Sequence, residues 1–395
     1  MAVPLSVGVV GGGIGGLSAA LSLLRAGLDV HVYEQAARLS EVGAGVQVSP
    51  NASRVLHGLG LAGALAATGV RPLAWHQRRW DDGRTLLRAP LAEACFPHYQ
   101  MHRADLLGAL AAALPAGRVH LGRRLTGFAQ DDDGVQARFA GGERARFDVL
   151  VGADGIHSAV RRLLFGPGEA RFTGCVAYRA VVPAERLRHL NLEVTAQIWM
   201  GPGRHFVHYF ISGRRSVNFV AVVEQDRWTR ESWTDRAEKA DVREAFAGWH
   251  PQVQEIIGAA GAMYVWALFD RPPRPTWSVG RVTLLGDAAH AMLPFMAQGA
   301  AQAVEDGAAL AAWLRSAPAA EALSAYEKAR LPRTTRLQEM SAGNKTRFHL
   351  PDGAAQRERD AQMAAGSRSW SFNALDWLYE HDASVGSPGK AVDQG

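Results

Sequence analysis

Short apolar runs and glycine-rich turns alternate at the start of the chain. The run from Leu5 to Val10 leads directly into Gly11-Gly12-Gly13-Ile14-Gly15-Gly16. Helical periodicity then extends from Ile14 to Ala26, and a second apolar run from Asp29 to Tyr33 ends on Glu34. This order predicts a strand, a helix and a second strand, which together form a βαβ unit.

The glycine spacing in this unit is that of a dinucleotide-binding turn. Gly11 permits the tight turn, Gly13 lets backbone N–H groups approach a pyrophosphate, and Gly16 lets the helix pack on the strand. Glu34, placed after the second strand, can accept hydrogen bonds from ribose hydroxyls. The motif predicts a dinucleotide cofactor but leaves NAD, NADP and FAD open.

Two later apolar runs also end in polar turns. Val149 to Val151 leads to Gly152-Ala153-Asp154-Gly155, and Val282 to Leu285 leads to Gly286-Asp287. Both runs read as buried parallel strands that return to the nucleotide-binding sheet. A long helix is predicted from about Gln298 to Leu314. From about Phe172 to Phe269 the apolar period is two, which predicts an antiparallel sheet with one covered face.

Composition restricts the class of protein. Of 395 residues, 48% are hydrophobic and 21% charged, and no apolar stretch is long enough to cross a bilayer. The chain begins almost directly with the first strand, so we expect a cytoplasmic location and no membrane association. The net charge is +5, but basic residues are scattered, so we expect no nucleic acid partner. Cys95 and Cys175 lie far apart; we expect both to be buried and expect no metal site.

The three turns each follow a predicted strand, which places them on one rim of one sheet. With Arg103 in His-Arg-Ala-Asp-Leu, their order resembles that of the class A flavoprotein aromatic hydroxylases over nearly the full chain. Salicylate, 3-hydroxybenzoate and 6-hydroxynicotinate monooxygenases are the relevant branches. The resemblance implies an α/β fold: a Rossmann-like FAD-binding domain of the GR2 type (1–171 and 271–345), an inserted antiparallel-sheet substrate domain (172–270), and a C-terminal helical segment and tail (346–395).

The same resemblance implies that the dinucleotide is bound FAD, with NADH or NADPH as a transient co-substrate and O2 as oxidant. Asp287 would contact the ribityl or pyrophosphate part of FAD. The helix that starts after Gly299-Ala300 would direct its positive end at the flavin. The remaining cofactor-binding residues that the resemblance implies are Gln35, Gln47, Arg103, Leu125 and Asp154.

In this family a C4a-hydroperoxyflavin transfers oxygen to an electron-rich ring, so the resemblance implies a small hydroxylated aromatic acid as substrate. His205 and Tyr209 lie on one face of a predicted strand, with Cα atoms roughly 13 Å apart. Either could be an ordinary core residue. The resemblance favours His205 as the catalytic base and Tyr209 as a hydrogen-bond partner. The opposite assignment, with Tyr209 as the base, stays open. Pro294 and Phe295 would line the pocket, where an apolar Phe295 suits a benzenoid ring.

Two other functions are compatible with these motifs. One is a 6-hydroxynicotinate 3-monooxygenase-like decarboxylative hydroxylase. The other is a flavin-binding or redox-sensing protein without turnover. We expect His290, next to the Gly286-Asp287 turn, to be structural, and we expect a monomer or a homodimer.

Overall fold

The computed structural model describes residues 4–39, 44–91, 95–226, 235–366 and 372–385. Its strands are β1 Ser6–Val10, β2 Asp29–Tyr33, β3 Gly45–Val48, β4 Ala74–Arg79, β5 Thr85–Pro90, β6 Tyr99–His102, β7 Val119–His120, β8 Leu125–Asp131, β9 Gly134–Phe139, β10 Arg144–Phe147, β11 Val149–Gly152, β12 Arg171–Pro183, β13 Ala196–Gly201, β14 Arg204–Ile211, β15 Ser216–Glu224, β16 Arg236–Ala237, β17 Met263–Asp270 and β18 Val282–Leu284. Its α-helices are α1 Ile14–Arg25, α2 Pro50–Gly58, α3 Ala62–Thr68, α4 Arg103–Ala113, α5 Ala159–Phe165, α6 Lys239–Ala245, α7 Pro251–Ala259, α8 Asp287–His290, α9 Gly299–Ser316, α10 Ala319–Phe348, α11 Ala354–Ala364 and α12 Asp376–Tyr379.

A five-stranded parallel sheet forms the centre of the larger core, in the order β18-β11-β1-β2-β7. The central strand β1 is apolar because it is covered on both faces; Val7 and Val9 are fully buried. Helices α1 and α9 pack closely against each other, since a Cβ at Gly307 of α9 would lie 2.7 Å from the Cα of Ala19 of α1. The return of β11 and β18 to the nucleotide sheet is as the sequence predicts.

The second large sheet has eight strands in the order β16-β17-β12-β15-β14-β13-β4-β5. Its pairs are antiparallel except β13 with β4, which is parallel. Strands β4 and β5 come from the part of the chain that the sequence assigns to the FAD-binding domain. The chain therefore enters this sheet once before the predicted insertion at 172–270 and again within it.

Both faces of the eight-stranded sheet are covered. Phe206, Phe219 and Phe246 lie in an apolar cluster between the sheet and helices α6 and α7. On the opposite face, called the inner face below, Phe295 and Phe348 pack against the sheet. The expectation of one covered face is therefore wrong, because the sheet lies between a helical layer and the loops of the nucleotide-binding part.

Cys175 is buried, but Cys95 is exposed, so the expectation that both cysteines are buried is wrong for Cys95. Among the helices of the described ranges, none has the length and apolar character needed to cross a membrane.

Candidate active site

Glycine is needed at different positions of the first turn for different structural reasons. Gly11 has a φ of +110°, and a Cβ there would lie 2.4 Å from the carbonyl oxygen of Ala153. A Cβ at Gly16 would lie 1.9 Å from the carbonyl oxygen of Gly11. A Cβ at Gly13 would meet no protein atom within 4 Å. Gly11 and Gly16 are therefore required by the protein's own packing, whereas Gly13 borders open space where a ligand can approach.

The N-terminus of α1 next to this space is suited to an anion. Gly13 is its N-cap residue, and no side chain caps the first turn, so its N–H groups are available to a pyrophosphate. Glu34 is held by backbone amides: Oε2 accepts from Gly12 N at 2.6 Å and Oε1 from Ala36 N at 2.8 Å. A carboxylate keeps further acceptor capacity for ribose hydroxyls. These groups fit the AMP part of a dinucleotide.

Asp154 is engaged with the protein itself. Its carboxylate accepts from Ser158 Oγ at 2.5 Å and from Ala159 N at 2.7 Å at the start of α5. Burial raises the pKa of Asp154. Arg161 of the same helix donates to Ala288 O at 3.1 Å and to Ile156 O at 2.5 Å. The two residues thus shape the turn after β11 and tie it to the turn after β18; direct contact of Asp154 with FAD stays a prediction.

Asp287, Gly299 and Ala300 come together as expected. Asp287 is exposed, and a Cβ at Gly299 would lie 3.8 Å from its Oδ1. Helix α9 begins at Gly299, and no side chain caps its first turn. A carboxylate and the positive end of a long buried helix therefore share one edge of the sheet.

A buried ion network supports α9 from below, and sequence reasoning missed it. Arg330 Nη1 lies 2.5 Å from Glu305 Oε2, Arg330 Nε 2.7 Å from Asp306 Oδ1, and Arg333 Nε 2.8 Å from Glu305 Oε2. Burial acts to raise the pKa of Glu305, but Arg330 and Arg333 lower it to about 2. His290 Nε2 is 2.6 Å from Asp306 Oδ2, in line with its expected structural role. The signal in the sequence was a Glu-Asp pair inside an otherwise apolar helix.

The other implied cofactor residues lie on different elements and differ in exposure. Gln35 is exposed beside Glu34. Gln47 lies on β3, with its Oε1 3.1 Å from the ring of His98. Arg103 begins α4 and donates its N–H to Ala44 O. The side chain of Leu125 is buried in the main apolar core. Their contacts with FAD stay predictions.

His205 and Tyr209 share the inner face of the eight-stranded sheet. The pairing of β14 with β15 has no shift in register, so their Cα separation of roughly 13 Å holds. Both side chains are buried. The ring of Phe295 meets that of His205 edge-on at 4.8 Å, and the half-buried Pro294 precedes it. The structure therefore brings His205 and Phe295 together and places Tyr209 four residues farther along the same strand face.

His205 has a polar neighbour, His349, that sequence reasoning did not find. His205 Nδ1 lies 2.6 Å from Nε2 of His349, which follows the end of α10. Burial lowers the pKa of both histidines. No local pattern marks His349, because the contact joins residues 144 positions apart.

Arg179 is a second inner-face residue that sequence reasoning missed. It pairs with Val220 on β15, which in turn pairs with Val207 of β14. Its guanidinium stacks on Trp266 at 4.3 Å, and its Nε has no hydrogen-bond partner among the described residues. Burial lowers the pKa of Arg179 to about 10, and the nearby Tyr209 acts against that shift. A cation is thus held near Tyr209 with hydrogen-bonding capacity to spare.

A polar cleft of about 380 Å³ opens beside the Asp154 turn. Its lining includes His157, Arg161, Arg162 and Arg271. Three arginines and one carboxylate, that of Glu169, are among the lining residues, so the lining carries net positive charge and is suited to an anionic group.

Comparison with known proteins identifies the family. A profile described as FAD binding domain matches residues 4–341. The chain is 43% identical over 389 residues to a 3-amino-4-hydroxybenzoate 2-monooxygenase of Streptomyces platensis, covering 96% of this chain and 97% of the relative. The chain belongs to the class A FAD-dependent aromatic hydroxylases.

Other relatives of this hydroxylase agree with that assignment. A 6-hydroxynicotinate 3-monooxygenase of Bordetella bronchiseptica is 38% identical over 349 residues, covering 86% of this chain and 91% of the relative. The crystal structure of Klebsiella pneumoniae HpxO with FAD and uric acid superposes with a TM-score of 0.84 at 27% identity, covering 97% of each chain. The predicted α/β fold, enzyme class and FAD cofactor are confirmed. The hydroxylase is an FAD-dependent monooxygenase that uses NAD(P)H and O2.

Proposed function

We propose that this hydroxylase adds a hydroxyl group to the ring of a small hydroxylated aromatic acid, with 3-amino-4-hydroxybenzoate as the first candidate. The observation that carries the proposal is the inner face of the eight-stranded sheet. It presents a cation, Arg179, and a potential base, His205, on the same buried surface. A hydroxybenzoate offers a carboxylate for the first and a phenolic hydroxyl for the second. The relative at 43% identity is named for such a substrate.

Each residue has a defined role in this proposal. Bound FAD, reduced by NAD(P)H, supplies the activated oxygen. His205 accepts the proton of the ring hydroxyl, which makes the ring electron-rich. Tyr209 donates a hydrogen bond to the substrate, and Arg179 pairs with its carboxylate. Phe295 closes the pocket with an apolar ring, which keeps water from the reacting atoms.

The polar cleft beside the Asp154 turn is the candidate docking site for the nicotinamide cofactor. Arg161, Arg162 and Arg271 can neutralise a pyrophosphate or a 2′-phosphate. The cleft opens at the surface, which suits a co-substrate that binds and leaves in each cycle.

Phe295 also bears on the choice between a benzenoid and a pyridine ring. Its side chain is apolar and buried against His205, so it offers no hydrogen bond to a ring nitrogen. This favours a benzenoid acid over 6-hydroxynicotinate, although the relative at 38% identity keeps the second compound in the test. We further propose a cytoplasmic monomer or homodimer that binds no nucleic acid.

The test is a substrate panel with the FAD-loaded enzyme. NAD(P)H oxidation is measured with 3-amino-4-hydroxybenzoate, 3-hydroxybenzoate, 4-hydroxybenzoate, salicylate and 6-hydroxynicotinate, and each product is analysed by mass spectrometry after reaction under 18O2. We expect one hydroxybenzoate to give a product with a single 18O atom. The same ring without its carboxylate, 2-aminophenol, should react far more slowly. Stimulated NAD(P)H oxidation that yields only hydrogen peroxide with every acid would refute the proposed substrate class.

Substitution of Arg179 distinguishes a loss of carboxylate binding from a non-specific loss of activity. Arg179→Met should raise KM for the acid by 10-fold to 100-fold while KM for 2-aminophenol stays within twofold, because only the acid loses an ion pair. Arg144→Met, at an exposed position on β10, is the matched control and should change neither value. Equal losses for both compounds would mean that Arg179 does not hold the carboxylate.

A further inference from the structure

A chain of hydrogen bonds runs from His205 to the protein surface. His205 Nδ1 is 2.6 Å from His349 Nε2, and His349 Nδ1 is 2.9 Å from Glu224 Oε1. His205 is 2% exposed and His349 is 5% exposed. The Glu224 side chain is 42% exposed. These hydrogen bonds therefore join a buried ring nitrogen of His205 to a carboxylate in contact with water.

We propose that His205, His349 and Glu224 form a proton relay, which carries the proton of the substrate hydroxyl from the closed pocket to solvent. The inference rests on the proposed function, since it takes His205 as the base. It goes beyond that function in assigning His349 and Glu224, which do not touch the substrate, as positioning residues for the proton transfer.

The hydrogen bonds define which nitrogen of His205 is basic. The Glu224 carboxylate can only accept, so His349 Nδ1 carries a hydrogen and donates it. Because His349 is neutral in its buried site, its Nε2 has a lone pair and accepts from His205 Nδ1–H. In neutral His205 the lone pair is then on Nε2. The relay thus holds His205 in the one tautomer that can take a proton at Nε2.

The proton balance along the relay is simple. The substrate O–H bond breaks and a bond to His205 Nε2 forms. The Nδ1–H proton of His205 moves to His349 Nε2, and the Nδ1–H proton of His349 moves to the Glu224 carboxylate, from which water removes it. The products are a bound phenolate and one proton in solvent, and neither imidazole keeps a net charge. A proton that travels inward after hydroxylation restores the starting tautomers.

The surroundings of His205 favour this path over direct exchange with water. Phe295 and Phe348 pack edge-on against the His205 ring at 4.8 Å and 5.3 Å. A permanently charged imidazolium in this apolar setting would be costly, so a base that passes its proton on is favoured. A relay removes the charge in the same event that creates the phenolate.

In the described part of the chain, few charged or titratable groups lie near Glu224, the solvent-exposed end of the relay. Lys345 of α10 donates to Thr173 O at 2.8 Å, and its charge acts to lower the pKa of His349, whereas Glu224 raises it. Cys175 of β12 lies opposite Glu224 in the sheet, and burial raises its pKa to about 11, so it stays a thiol. Glu224 is then the group placed to receive the proton.

The backbone holds the relay in position. Gly203, in the turn before β14, donates its N–H to His349 O at 3.0 Å, and its carbonyl accepts from Glu224 N at 2.9 Å. One glycine thus connects the end of α10 to the end of β15. The relay depends on the fixed relative positions of β14, β15 and the end of α10. Substitution of a relay residue on any of them should therefore interrupt proton transfer.

The test measures ionisation of the bound substrate in oxidised holoenzyme, before any reduction. The substrate found in the panel is mixed with enzyme in a stopped-flow instrument, and the absorbance rise of the phenolate gives the deprotonation rate. We expect His349→Gln to slow it at least 100-fold, as for loss of a general base, with the substrate Kd within twofold. Glu224→Gln should slow it about 10-fold. Asp226→Asn removes a nearby exposed charge outside the relay and should have no effect.

Buffer rescue distinguishes a relay from a structural role. In Glu224→Gln the rate should rise with imidazole concentration, whereas in the wild type it should not, because a small base can replace the missing carboxylate. Glu224 is exposed, so this variant should fold and bind FAD even if His349→Gln does not. Wild-type rates without rescue in Glu224→Gln, together with a wild-type rate in a folded His349→Gln, would overturn the relay.

The outcomes also separate the relay from the function on which it rests. If wild-type enzyme ionises no bound hydroxybenzoate and hydroxylates none, the proposed function fails. If the wild type ionises the substrate and His205→Gln does so equally fast, the base assignment and the relay both fail. If only the His349 and Glu224 variants behave as wild type, the relay fails and the proposed function stands.

Discussion

Removing the charge of Glu305 should destabilise the hydroxylase through the buried network under α9. Glu305 is fully buried and accepts from Arg330 and from both Nε and Nη2 of Arg333. Glu305→Gln keeps the shape but leaves two guanidinium groups with one carboxylate, that of Asp306. A buried charge without its partner is strongly destabilising.

The size of the effect follows from the carboxylate's proton affinity. Its pKa is about 2 in the folded chain instead of 4.5, so the fold stabilises the charged form by about 3 kcal/mol. Unfolding entropy scales with length, at roughly 2.1 cal/mol/K per residue, so about 3 kcal/mol corresponds to a Tm decrease of about 4 °C in a chain of this size.

The assay is thermal unfolding at saturating and fixed FAD, because bound cofactor shifts the apparent stability. Glu321→Gln, an exposed carboxylate in the first turn of α10, is the control and should change Tm by less than 1 °C. Arg330→Gln should cost less in the Glu305→Gln background than in the wild type, since the two residues interact directly. A Tm for Glu305→Gln equal to that of the control, or full additivity with Arg330→Gln, would mean that the buried network does not stabilise the fold in this way.

Three further predictions concern acid stability, the glycine turn and the tyrosine. Because the pKa values of Glu305 and Asp306 are both lowered to about 2, their stabilisation is present above about pH 5 and is lost as pH falls towards 2, which a pH series of denaturant midpoints will show. Gly16→Ala should prevent folding, whereas Gly13→Ala, which has room for a methyl group, should fold and bind FAD at least 10-fold more weakly in a fluorescence titration. Tyr209→Phe should lower kcat about 10-fold and leave phenolate formation intact, since His205 has its own proton path; loss of phenolate formation instead would make Tyr209 the base.

Local sequence patterns were sufficient for the cofactor-binding half of the molecule. The βαβ unit needs a glycine where φ is positive, small residues where helix meets strand, and an acid at the end of the second strand. Those requirements lie within 34 residues of the N-terminus, so Gly11, Gly16 and Glu34 could be read directly. The turn after β18 and the start of α9 at Gly299 could be read for the same reason.

The parts that sequence reasoning missed are those that join distant segments. No local pattern marks Arg179, because its position near His205 and Tyr209 depends on the register of β12 with β15 and of β15 with β14. Strands β4 and β5 lie in the segment that the sequence assigns to the FAD-binding domain, and only their pairing shows that they extend the substrate sheet. Glu305 could be noticed as a charge in an apolar helix, but its arginine partners on α10 could not.

Sequence patterns were sufficient for the family, the FAD cofactor and the strand that carries His205 and Tyr209. Each glycine-containing turn and the strand is a local pattern, and the order of the turns along the chain carries the resemblance to the FAD-dependent family. The tertiary structure decided what surrounds that strand. It placed Arg179 on the inner face, and it brought His349 into contact with His205 across 144 positions of chain and with Glu224 across 125. A hydrogen bond depends on distance in space, and the packing of α10 against the sheet sets that distance.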